Sequence, residues 1–155
     1  MTRRRKSRSL SVKNVLNIVF RMKKKSSKQK VKLRIQKLLL EICRIRDKRC
    51  VLEGMGVGRC GGLTSADHIL RRGISRTYAE TDNVVCLCWY HHFQWKASNP
   101  TIYTELIRNI IGEARFQYIH QLAKEQKIYT EKDWLAEEEK LKLAYNNLKV
   151  EETHK

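Results

Sequence analysis

Two groups of residues carry chemistry by their type and spacing. The first is Cys50, Cys60, Cys88 and His91. Zn2+ takes four soft or borderline ligands in a tetrahedron, and a C-x-x-H pair at a turn into a helix supplies half of one. Cys50 and Cys60 must supply the other half, but nine residues separate them. That is wider than the common spacing of about two to four, so a glycine-rich loop has to fold back to bring the thiolates together. The second group is Asp67-His68, Asn83 and His92. A neutral imidazole with an ordinary pKa near ~6.5 is poised to take a proton from water, which suits His68 to the work of a general base. Asp67 and His92 can hold one divalent cation, Mg2+ or Mn2+, as a Lewis acid on a phosphate and its leaving oxygen. Neighbours on a strand point to opposite faces, so Asp67 and His68 divide the metal and the water between them. Arg71, Arg72 and Arg76 are placed to grip backbone phosphates.

The elements that must position these groups are short. Five of the seven glycines fall between Gly54 and Gly62, which makes residues 53–62 a loop or knuckle. Residues 63–70 and 83–88 (NVVCLC) read as two strands, with residues 71–82 as a polar connection. Residues 89–97 (WYHHFQWKA) suit a helix ended by Asn99-Pro100. Trp89, Tyr90, Phe93 and Trp95 could stack on bases, but at helical spacing they read as core. Cys43 and Cys86 read as small buried apolar residues. His120 and His154 have no partners at metal-ligand spacing. Upstream, a short helix is expected from Ser11 to about Met22, then a basic hinge over 23–30. A second helix follows, with Val31, Ile35, Leu38, Ile42 and Ile45 along one stripe. Downstream, helices are expected over about 101–111 (stopped by Gly112), 113–126 and 130–148, the last with a capping box from Thr130 to Asp133.

From about Cys50 to Lys96 the chain resembles the HNH, or ββα-metal (His-Me finger), endonucleases. The segments ADHILRRG, DNVVCLC and WYHH carry the likeness. The resemblance implies a small α+β fold: a ββα-metal core braced by a structural zinc knuckle and flanked by N- and C-terminal helices. With the charge and the helical patterns on either side, three stretches are expected: a basic helical DNA-binding arm (1–49), the nuclease core (50–100) and a helical C-terminal region (101–155). His91 stands where these proteins often carry a second zinc cysteine, and His92 takes the last H. Their adjacency leaves the division of labour between them resting on spacing alone. Asn83 is implied to fix the connecting loop and orient His68. The expected activity is hydrolysis of DNA to 3′-hydroxyl and 5′-phosphate ends, in a bacterial or phage-infected cytoplasm.

Charge points the same way. The chain of 155 residues carries a formal +17, and residues 1–49 hold all of it: 19 Lys/Arg against Glu41 and Asp47. Residues 50–155 balance 14 against 14. Arg3, Arg4, Arg5, Lys23, Lys24 and Lys25 are therefore expected to meet the phosphate backbone of DNA. A targeting peptide is the rival reading of residues 1–30, though the basic run continues into a helix. The imbalance excludes an acidic buffer, and the lack of an apolar run of about 18 residues excludes a membrane span, so no membrane partner is expected. Two rival functions stand beside the nuclease, a non-catalytic zinc module that binds nucleic acid and a basic structural RNA-binding protein. The tail could pack on the core or make a homodimer.

Overall fold

The computed structural model describes residues 26–153. The expected helix over 11–22 and the basic side chains from Arg3 to Lys25 lie outside the described residues, as does His154. Ser26 starts the first helix, α1 (Ser27–Asp47), through a reciprocal capping box with Gln29. Residues 26–30 therefore open a helix, which corrects their reading as a hinge.

Helix α1 buries Val31, Ile35, Leu39, Ile42 and Cys43. These pack with Val84 and Cys86 of the sheet, and with Trp134 and Leu141 of the last helix. Fully buried aliphatic side chains of this kind contribute about 1.5–3 kcal/mol each. The sheet is an antiparallel pair, β1 (Thr64–His68) and β2 (Val84–Cys88), in which Asp67 faces Val85 and His68 faces Val84. All five residues of β2 are buried, because helices cover both of its faces. Val84 and Cys86 meet α1, while Val85 and Leu87 meet Tyr103 and Ile107. That is why VVCLC is a continuous apolar run and not an alternating one.

The connection between the strands is more ordered than a polar loop. It contains a helical turn, α2 (Ser75–Tyr78), and a tight turn over Thr81–Asn83, with Thr77, Tyr78 and Asn83 buried. After β2 the chain runs directly into α3, a π-wound segment (Tyr90–Trp95) continued by an α-turn (Lys96–Ser98). Three helices follow: α4 (Pro100–Ile111), α5 (Glu113–Lys124) and α6 (Glu131–Thr153). Thr130 and Asp133 cap α6 reciprocally, as expected. The tail packs on the core through α6 against α1. Among the described residues, no helix is long and apolar enough to cross a membrane.

Candidate functional site

The chain just after α1, the knuckle loop and the β2–α3 junction meet at four side chains. Ligand atoms of Cys50, Cys60, Cys88 and His91 all lie within 4.8 Å of one another. His91 Nδ1 is 3.4 Å from Cys50 Sγ, 3.7 Å from Cys60 Sγ and 3.2 Å from Cys88 Sγ. A tetrahedral zinc with its usual bond lengths needs sulfur–nitrogen edges of about 3.6 Å. The donor set fits that requirement, and this Cys3His group could hold a metal ion such as zinc. The imidazole is buried, and its Nε2 faces the carbonyl of Val57 at 3.3 Å. An acceptor there places the proton on Nε2 and leaves Nδ1 free to ligate, the usual outer support of a metal-bound histidine.

The loop reaches the cluster because its backbone can come close. Gly62 has φ +75°, and a Cβ on it would sit 2.7 Å from Cβ of Trp89. The amide of Tyr90 donates to the Gly61 carbonyl at 3.0 Å, tying the loop to the start of α3. Burial raises the thiols of Cys50, Cys60 and Cys86, that of Cys60 up to about 12. Burial pushes Cys43 up to about 12. Burial also opposes ionisation of Cys88, but the amides of His91 and Gly61 and the neighbouring cysteines hold its thiol below the ordinary value. Cys43 and Cys86 are fully buried apolar side chains outside the cluster, as the sequence implies.

The second group assembles at the end of β1 and divides between the two faces of the strand, as alternation requires. On one face the buried Asp67 lies 3.0 Å from His92 Nε2 through Oδ1. Ser65 Oγ contacts His92 Nδ1 at 2.7 Å, which sets the ring toward Asp67. Lys96 donates to both Asp67 oxygens, at 2.8 and 2.7 Å, and the Tyr103 hydroxyl donates to Oδ2. Burial works against ionisation of Asp67, yet contacts with His92, Lys96 and Tyr103 hold its carboxyl below the usual range. On the other face His68 is 6% exposed, and its Nε2 donates to the Tyr78 carbonyl at 2.9 Å. A carbonyl can only accept, so Nε2 carries the proton. Nδ1 is then a bare acceptor, and it is buried with no hydrogen-bond partner among the described residues. Burial, aided by the Arg72 charge, holds the imidazole below its ordinary pKa of 6.5, in the neutral form.

Asn83 is wholly buried and closes the β1–β2 connection from within. Its Oδ1 accepts from the Leu70 amide at 2.8 Å, and its Nδ2 donates to the carbonyls of Thr77 at 2.9 Å and Leu70 at 3.3 Å. Thr77 precedes Tyr78, whose carbonyl holds His68. The turn bearing Asn83 is itself gripped from outside: Arg46 donates to the carbonyls of Thr81 at 2.9 Å and Val84 at 2.7 Å. Arg115 donates to the carbonyls of Asp82 at 2.9 Å and Val84 at 2.8 Å. Nothing in the sequence singles out Arg46, Arg115 or Tyr103.

Of the three arginines expected at phosphate, Arg71 and Arg72 are exposed and make no side-chain hydrogen bond or ion pair among the described residues. Arg76 is paired with Glu125 at 2.8 Å. Of the four aromatics read as core, Tyr90 and Trp95 pack against the Val85–Leu87 face. Trp89 and Phe93 do not: they are 48% and 53% exposed, with ring centroids 6.2 Å apart. Phe93 also stacks on His92, centroid to centroid 4.0 Å. His120 is outside the cysteine cluster and lies against Phe116. In comparisons with protein-family models, curated proteins and solved structures, the chain matches none.

Proposed function

We propose that this chain is a metal-dependent DNA endonuclease of the HNH, or ββα-metal, kind: a phosphodiester hydrolase braced by a structural zinc. The observation that carries the reading is the state of His68. Its Nε2 is committed to the Tyr78 carbonyl, and Nδ1 is left as an unpaired buried acceptor. Leaving such an acceptor unmet costs about 1–3 kcal/mol; the core indole of Trp134 is in the same state at Nε1, and what sets His68 apart is its place next to Asp67 at the end of β1, beside the Asp67–His92 pair. A general base needs that same nitrogen bare and neutral.

The rest of the reading builds outward from His68. Nδ1 would take a proton from the attacking water, which has to reach an atom closed to solvent in the free protein. Asn83 keeps the connecting loop, and through Tyr78 the imidazole, in place. Asp67 and His92 would hold the divalent cation. Their 3.0 Å separation matches adjacent positions about 3 Å apart around an octahedral Mg2+. Bound there, the cation would neutralise charge on the phosphate and help the leaving oxygen depart. Arg71 and Arg72 steady the neighbouring phosphates, Trp89 and Phe93 offer faces on which bases can stack, and the basic N-terminal stretch captures DNA electrostatically.

Supercoiled plasmid is the direct substrate. Zinc-loaded protein with Mg2+ or Mn2+ should nick it, and Asp67→Asn should stop the nicking while the zinc content stays the same. Plasmid that stays intact across metals and salts overturns the nuclease and leaves a non-catalytic zinc module that binds nucleic acid.

A further inference from the structure

Asp67 is the most heavily engaged carboxylate of the site, with a side chain only 3% exposed. Lys96 spends all three ammonium hydrogens there: two on Asp67, and one on the His68 carbonyl at 3.3 Å. Its ammonium also lies over the Tyr103 ring, 4.4 Å from the centroid. Tyr103 and His92 take further positions on the same carboxylate. A buried carboxylate is costly without a counter-charge, and Lys96 supplies one. The lysine side chain is not sealed in. It remains 27% exposed, and with His92, Phe93, Ala97 and Pro100 it lines an opening of about 420 Å³.

We infer that Lys96 is a displaceable counter-cation, seated where a divalent cation would meet Asp67. The inference rests on the reading of Asp67 and His92 as cation ligands. An ammonium and a divalent cation cannot both sit at contact distance from one carboxylate without strong mutual repulsion. Entry of the cation therefore requires Lys96 to leave, and its flexible four-carbon stem lets the ammonium swing into the opening. There it stands beside His92, free to pair with a phosphate oxygen. Lys96 thus sets how tightly the site takes its metal and guards Asp67 when no metal is bound.

Mn2+ binding to the zinc-loaded full chain tests this without reading activity, by electron paramagnetic resonance of the free ion. Lys96→Gln should bind Mn2+ about fivefold tighter or more. Lys96→Arg keeps the charge and should stay near wild type. Asp67→Asn should abolish the site. Lys96→Met, which keeps the apolar stem over Tyr103, serves as a second variant should the glutamine not fold, with thermal midpoint and zinc content as controls. If removing the charge leaves Mn2+ affinity unchanged or weaker while Asp67→Asn still abolishes binding, Lys96 is not a competitor and this inference is wrong. Should Asp67→Asn leave Mn2+ binding intact, the assignment of Asp67 as a cation ligand fails, and the inference goes with it.

Discussion

Asn83 ties the β1–β2 connection together with one amide. It meets the Leu70 amide and the carbonyls of Leu70 and Thr77 from a wholly buried position. Alanine there leaves buried backbone groups unpaired at about 1–3 kcal/mol each. Asn83→Ala should therefore cost about 2 kcal/mol or more in urea unfolding, with zinc content unchanged because no cluster ligand hangs from that loop. A loss below about 0.5 kcal/mol, the range of ordinary surface changes, would show that the loop is held by other means. At this scale much was legible. The cluster residues Cys50, Cys60, Cys88 and His91 follow from residue type and spacing, and His92 lies against Asp67, the residue it was read together with. Lys96 and Tyr103 were not picked out, because a lone lysine or tyrosine has no spacing signature. Only the fold shows which carboxylate they meet.

Among the elements, α1 shows what periodicity resolves and what it does not. Val31, Ile35 and Ile42 are buried as the stripe requires, but Leu39 and Cys43 take the central places expected for Leu38 and Ile45, which are half-buried. The helix faces both the sheet and α6, so its apolar face is broader than a two-residue heptad seam. Its charges are also partly spent at home. Arg34 donates to both oxygens of Glu138 on α6, each at 2.7 Å, and Arg46 braces the turn before β2. Basic residues read collectively as a DNA surface thus include structural ones, a distinction composition cannot make. The Arg34 hydrogen bonds hold Glu138 below its ordinary value of 4.5, against the effect of burial. A carboxyl depressed in the folded state contributes stability above its unfolded pKa and loses it as pH falls through the folded one. Glu138→Gln should be about 1 kcal/mol less stable than wild type at pH 7, and the gap should close as pH drops below 4.5. A gap that stays constant to acid pH would contradict a charged pair between α1 and α6.

At the scale of the whole molecule, charge and chemistry occupy different stretches of one chain. The net +17 lies in residues 1–49, whereas the two candidate centres lie between Cys50 and His92, in a region neutral in sum. Under the proposed nuclease function, capture of a polyanion and action on it fall to different residues, and the second role is the central one. It comes down to a single proton acceptor, tested by single-turnover cleavage of plasmid DNA in Mg2+ or Mn2+ by wild type and His68→Ala at matched zinc content and thermal midpoint. Loss of a general base lowers such a rate by about 10²–10⁴-fold, and that is the predicted result. Equal cleavage by the two proteins would contradict it.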